Sequence, residues 1–288
     1  MNSAGETRKR RSEGRERSAQ PARSAQGSEL AGHLLPELYQ VDATHWWTSG
    51  MRRVSHALLD GVALPEGPLL ELGCGAGVFL TELSDRFPER LVLGSDIHPL
   101  ALAQAGQQAK LGLPVAAADV HQLPFTDGLC AAIVALDVLD QQGVDLPSAL
   151  RQCWRVLRID GILLLRVSAY SWLQGPHDVA FGTGQRYTAR QIERSLAGAG
   201  LHVERLTYAN SLLFAPGAAL RLLQKLGLMA DVAQELSVAP PLNGLLSRIL
   251  AAEARWLRQR NLPAGLSVVA LARKLDSAHP TQPGRDYR

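Results

Sequence analysis

Short apolar runs alternate with segments of helical periodicity through the middle of the chain. Strand-like runs at 69–72, 91–94, 115–118, 131–136 and 162–167 are separated by helix-like segments at 78–87, 100–111 and 148–157. Runs that are apolar at consecutive positions, rather than at every second one, are buried on both faces, and their alternation with helices predicts a parallel sheet covered on each side. Ahead of them, apolar positions at 34–41, Trp46, Trp47 and 54–59 read as helical turns leading to the first strand, with Pro65 and Gly67 marking the break. The rhythm then changes. Thr188 followed by Gln191 has the spacing of a capping box for a helix reaching about Ala199, where Gly200 is a natural stop. Positions 201–208 and 266–271 read as two further strands. Between them, residues 209–263 carry helical apolar spacing at Leu220, Leu223 and Leu226 and again at Leu245, Ile249 and Trp256. The expected architecture is α/β: a Rossmann-like, doubly wound, seven-stranded sheet with a helical insertion between its last two strands.

Composition adds limits. Hydrophobic residues make up 46% of the 288 and charged residues 20%, which excludes a wholly disordered, collagen-like or disulfide-scaffold chain. Residues 1–28 hold no large apolar residue after Met1 and cannot repay their ordering entropy, so they are expected to form a disordered basic tail. Residues 29–275 then form the folded domain, including the 209–263 insertion, and 276–288 a polar tail. The net charge of +3 lies in the first 30 residues, where seven Lys or Arg face four Glu; the remainder balances. The body therefore gives no overall electrostatic argument for a nucleic-acid partner. The alternative for the tail is a nucleic-acid or membrane-surface arm built on Arg8, Lys9, Arg10 and Arg11. Cys74, Cys130 and Cys153 form no CxxC pair and are odd in number, so neither a metal site nor a disulfide framework is expected. No signal-like start and no run of about 18 apolar residues occurs, so no transmembrane segment is expected and the default setting is the reducing cytoplasm.

The chemistry concentrates where strands end. Glu71-Leu72-Gly73-Cys74-Gly75-Ala76-Gly77 stands directly after a predicted strand and before a predicted helix, where glycines let the backbone turn tightly and approach a ligand. A dinucleotide fingerprint would place the third Gly three residues after the second, whereas Gly77 follows Gly75 by two, which disfavours a nicotinamide oxidoreductase. The second strand ends at Asp96, whose carboxylate can take two ribose hydroxyls. The third leads into Asp119-Val120-His121-Gln122-Leu123-Pro124-Phe125, and the fourth ends Leu136-Asp137-Val138-Leu139-Asp140-Gln141.

This acid-x-Gly-x-Gly-x-Gly spacing, with acids at successive strand ends, resembles the class I S-adenosylmethionine-dependent methyltransferases, and the wider pattern resembles their type 11 subgroup. The resemblance implies the methyltransferase fold and S-adenosyl-L-methionine as cofactor. Its contacts would be Glu71, Gly73, Gly75, Gly77, Asp96, Asp119, Val120 and Asp137, with Asp119 on the adenine amine and the Val120 amide near a ring nitrogen. Relatives commonly carry Glu-His where this chain has Asp140-Gln141, and Gln141 cannot accept a proton at neutral pH. Asp137 and Asp140 are left as candidate groups near the methyl, with a structural role as the alternative for Asp140, and Asp137 and His177 are the candidate catalytic residues. Trp172, His177, Asp178, Gln185, Arg186 and Tyr187 resemble the subgroup's acceptor loop, with Thr183 and Gln185 departing from its His and Arg. His45-Trp46-Trp47 with Arg52-Arg53 matches its entry helix. Trp47, His177, Asp178, Arg186 and Tyr187 are accordingly the expected acceptor contacts.

The expected activity is S-adenosylmethionine-dependent methyl transfer to a small-molecule acceptor, with no nucleic-acid partner. The alternatives are an RNA or protein methyltransferase guided by the basic tail, or a binding protein that keeps the cofactor without the chemistry. The insertion at 209–263 is expected to cap the domain or pair two copies as a homodimer; an amphipathic membrane contact is the competing reading.

Overall fold

The structure, a computed structural model, describes residues 43–108, 112–175, 178, 179, 181–228 and 239–276. The expected tail at 1–28, the helical turns at 34–41, residues 277–288 of the C-terminal tail and His177 lie outside the described residues. A seven-stranded sheet has the order β3-β2-β1-β4-β5-β7-β6, built from β1 (Leu69–Leu72), β2 (Val92–Asp96), β3 (Val115–Ala117), β4 (Cys130–Leu136), β5 (Leu157–Ser168), β6 (Leu201–Ala209) and β7 (Ser267–Lys274). The first five strands run parallel, and β7 is antiparallel to both of its neighbours.

Consecutive strand residues enter different cores, which is why the runs are continuously apolar. Leu70, Leu72, Ile133, Leu163 and Leu165 join one cluster, with α4 (Leu146–Val156) and α5 (Ala189–Gly198). Leu69, Val134, Ile162 and Leu164 join the other, with α1 (Trp46–Leu59) and α7 (Pro240–Leu257). The central strands are therefore dry on both faces. Helices α2 (Val78–Arg86) and α3 (Pro99–Gln108) follow β1 and β2, and α6 (Phe214–Lys225) follows β6.

Several boundaries differ from the sequence expectation for local reasons. Helix α4 begins at Leu146, not 148, because the Asp145 side chain accepts from the Ser148 amide and a proline sits in its first turn. Strand β5 begins at Leu157, which pairs with Cys130 before a register shift, and Asp160 takes φ 61° in the intervening bulge. The capping box at Thr188 and Gln191 forms as its spacing predicts.

The segment between β6 and β7 divides in its packing. Helix α7 belongs to the core: Leu250 and Leu257 are fully buried, and a Cβ on Gly50 of α1 would collide with Leu250 Cδ1, so the two helices cross closely there. The buried Glu253 carboxylate accepts from the amides of Asn210, Ser211 and Leu212, fixing the exit of β6. Helix α6 buries none of its residues. Among the described residues no helix is long and apolar enough to cross a membrane.

Candidate functional site

The order of the strands reverses beside β1, and ligands of open α/β sheets bind at the strand C-termini there. The turn after β1 is shaped for close approach. Gly73, Gly75 and Gly77 have φ of 67°, 52° and 80°. A Cβ on Gly73 would stand 2.7 Å from Val138 Cγ2, and one on Gly77 would stand 3.1 Å from the Ala105 backbone. Larger residues are thus excluded twice, by backbone conformation and by neighbours pressed against the turn. The Cys74 amide extends the pairing to Ser95 O at 2.9 Å, and the Gly75 amide donates to Asp96 Oδ2 at 3.0 Å. Asp96 Oδ1 accepts from the His98 amide at 2.8 Å, so the carboxylate at the end of β2 ties the glycine turn to the start of α3.

A cavity of about 260 Å³ opens on this turn. Glu71, Gly73, Cys74, Gly75 and Ala76 form one wall, Leu136, Asp137 and Arg166 the second, and Trp47, Thr48 and Arg52 of α1 with Phe79 of α2 the third. Glu71 is buried. Burial first, then the charges of Glu71 and Asp96, push the Cys74 thiol far up, so it is no nucleophile.

Asp137 adopts φ 55°, a left-handed conformation that Asp tolerates better than most residues. Its Oδ2 accepts from Arg166 Nε at 3.0 Å and Nη2 at 2.6 Å. Arg166 Nη1 donates to Met51 O of α1 at 3.1 Å, and the guanidinium lies 5.5 Å from the Trp47 ring centroid. One buried side chain thereby joins β5, the exit of β4 and the entry helix.

Gln141, where the resemblance expects His, donates its amide to Asp137 O at 2.9 Å and forms a bridge with Thr183. Two of the departures from the family pattern, Gln141 and Thr183, therefore meet as a structural contact holding the β4 exit. Asp140 lies beneath them, with Oδ2 accepting from the Ser168 amide at 2.7 Å and Oδ1 buried without a partner. Burial and then the neighbouring charge of Asp137 push its carboxyl up to about 6.

The structure brings Trp47, Glu71, Gly73, Gly75 and Asp137 to one cavity, with Asp96 bonded to its wall. Gly77 supports the same turn from behind as the N-cap of α2. Asp119 is exposed at the end of β3, and the His121 amide and ring hold its carboxyl below the usual range. Val120 packs against the core beside it. Of the expected acceptor residues, Trp47 lines the cavity and His177 is outside the described residues, whereas Asp178, Arg186 and Tyr187 lie elsewhere. Asp178 is buried, paired through Oδ1 to Arg186 Nη2 at 2.6 Å and through Oδ2 to Arg221 Nη1 of α6 at 3.2 Å. Arg186 Nη1 also donates to Ala169 O at 2.9 Å. Tyr187 is buried, its amide bonded to Ser168 O at 2.9 Å. None of the three lines the cavity. Sequence reasoning did not single out Arg166, although an arginine inside the apolar run 162–167 is itself a signal that a buried partner must exist.

Two carboxylates and two guanidiniums around one cavity match a ligand end that carries both an ammonium and a carboxylate, and the glycine turn leaves backbone room for the sugar beside it. The residues present thus fit the group that the sequence pattern implies.

Residues 70–165 match a family model described as a methyltransferase domain. The chain is 33% identical over 138 residues to the trans-aconitate 2-methyltransferase of Deinococcus radiodurans, covering 47% of this chain and 50% of that protein. It is 35% identical over 96 residues to a demethylmenaquinone methyltransferase of Roseiflexus castenholzii, covering 33% and 40%. The chain spans half or less of the length of these curated relatives. Among solved structures it is similar to the [4+2]-cyclase SpnF, with a TM-score of 0.57 at 19% identity over 88% of this chain and 95% of that one, a likeness of fold.

Proposed function

We propose that this chain, a class I S-adenosylmethionine-dependent methyltransferase of the type 11 subgroup, methylates a small-molecule acceptor. The observation that carries the proposal is the cavity between Glu71 and Asp137, floored by the left-handed glycine turn and walled by Trp47. When bound, S-adenosyl-L-methionine supplies a methyl group on a sulfonium, an already activated leaving group. The protein's part is then alignment and exclusion of water.

In this reading Glu71 and Asp137 would hold the ammonium, and Arg52 would face the carboxylate. Asp96, oriented by two backbone amides, would receive the ribose hydroxyls, and Asp119 with Val120 the adenine. Trp47 would close the cavity against solvent, held in place by Arg166. With Gln141 spent on Asp137 O, Asp140 buried and the Asp137 carboxylate paired with Arg166, no group at the β4 exit among the described residues is offered as a proton acceptor. The proposal is therefore an acceptor that enters already nucleophilic, such as a carboxylate or an enolate-like carbon. The named substrates of the two curated relatives, an organic acid and a quinone precursor, are small molecules and support that class.

Calorimetric titration with S-adenosylhomocysteine, with NAD in parallel, tests the cofactor assignment; a transfer screen with labelled methyl groups over organic acids and phenols tests the reaction. Replacing Asp96 by Ala should weaken S-adenosylhomocysteine by roughly 1–3 kcal/mol, the cost of losing hydroxyl partners of a charged acceptor. Unchanged affinity in a folded variant refutes that role. Tight cofactor binding with no transfer to any acceptor class would favour the binding-protein reading instead.

A further inference from the structure

A second cavity, about 490 Å³, lies between α1 and α7 on the side of α1 away from Arg166 and the cofactor cavity. It exists because its floor is made of Ala57, Ala251 and Ala254, which keep two packed helices from closing over it. Its walls are cationic. Arg53 projects from α1, and Arg248 and Arg255 project from α7 two turns apart on one face. Among the described residues the side chains of these three arginines make no hydrogen bond or ion pair. Arg86 and Arg258 also line the cavity, and both pair with Asp60, Arg258 Nε at 3.0 Å from Oδ2. Five guanidiniums therefore line the cavity with one carboxylate, which only two of them engage.

Outside the first 30 residues basic and acidic side chains balance in number, so this excess is a local feature. Like charges gathered in a concave site between low-dielectric walls repel one another and concentrate an anion of matching size. Guanidinium is the group whose planar donor fork suits phosphate oxygens, and three forks without partners among the described residues are available to donate to them. We propose that the groove between α1 and α7 binds a compact phosphate-bearing organic anion, with Arg53, Arg248 and Arg255 as its contacts. A nucleic-acid backbone would call for a basic surface tracking many phosphates. The cationic groups here instead surround a single alanine-floored hollow. The site is separate from the methyl-transfer reading and stands or falls independently of it.

The full chain is titrated calorimetrically with inorganic pyrophosphate and with ATP as probes, at ionic strength fixed by sodium chloride. Saturable one-to-one binding of at least one probe is expected, weakened at least tenfold in the double variant Arg248→Ser/Arg255→Ser. That variant should bind S-adenosylhomocysteine as the parent does, since neither residue lines the cofactor cavity. Ala251→Trp, which fills the hollow and leaves its charges in place, should weaken the same probe comparably. Absence of saturable binding for both probes overturns the proposal, as does parental affinity in both variants. Binding of a single-stranded RNA oligonucleotide alone, with a salt dependence of several released ions, also overturns it.

Discussion

Replacing Arg166 by Met is expected to loosen the entry helix and the proposed cofactor cavity together. The guanidinium donates twice to Asp137 Oδ2 and once to Met51 O, and its side chain is 6% exposed while that of Asp137 is 23% exposed. Breaking a fully buried ion pair costs about 3–5 kcal/mol because the partner charge is stranded. Asp137 borders the cavity and can take up water, so the cost falls to roughly 2–3 kcal/mol, the value of the lost charge-assisted bonds. For a domain of this size that lowers Tm by about 5–10 °C. Asp137→Asn is the matched change, since Asn tolerates the φ of 55° as well as Asp does and alters only the charge. It should cost about 1–2 kcal/mol alone and almost nothing in the Arg166→Met background, giving a coupling energy of about 1–2 kcal/mol in a double-mutant cycle read by urea unfolding. S-adenosylhomocysteine affinity should drop at least tenfold in Arg166→Met, because Trp47 rides on the helix that Arg166 anchors. A coupling energy below about 0.5 kcal/mol, or unchanged affinity, would refute the reasoning.

Three further outcomes follow from the geometry. Gly73→Ala should lose roughly 1–2 kcal/mol from its left-handed conformation and more from the contact 2.7 Å from Val138, whereas Gly61→Ala, at φ 74° with nothing within 4 Å, should lose only the first part; equal losses by thermal unfolding would remove the argument from crowding. Asp140 binds a proton more readily in the folded chain, near 6, than in the unfolded one, near 3.8. Its contribution is therefore most favourable in acid and is lost as pH rises through 6, up to about 3 kcal/mol. Relative to the parent, Asp140→Asn should gain stability between pH 4 and pH 7, and a flat difference across that range counts against the assignment. Burial pushes the Cys130 and Cys153 thiols up to about 12 and Cys74 higher still, so native protein at pH 8 should resist iodoacetamide while unfolded protein takes up three equivalents; rapid labelling of any of the three in the native state would show a local opening instead.

The glycine turn was legible in the sequence because positive φ admits few residue types, so Gly73, Gly75 and Gly77 announce their backbone directly. Strands β1 and β4 were equally plain, being dry on both faces. What the sequence withheld is pairing across distance. Arg166 is visibly out of place among leucines, but its partner Asp137 stands 29 residues back, just past the end of the neighbouring strand. Asp178 and Arg186 carry the family pattern, yet the third member of their ion pair, Arg221, comes from a helix 43 residues away, and no local spacing reports it. Periodicity marked α6 and α7 alike as helices. Only the crossing at Gly50 distinguishes the one that enters the core from the one that does not.

Helix α6 is held by Arg221 on Asp178 and Leu173 O, by Lys225 on Trp172 O, and by Phe214 against Tyr170, with no residue buried. Leu222 and Leu226 stand in solvent. Substitutions at such positions change the surface without opening a cavity, so this helix can vary freely while the sheet keeps its stability. A lineage could thus rewrite this helix one turn at a time and alter what it presents beside Trp172 and Asp178, leaving the proposed cofactor cavity untouched. A library confined to the exposed positions of α6 is where sequence change costs the least folded protein.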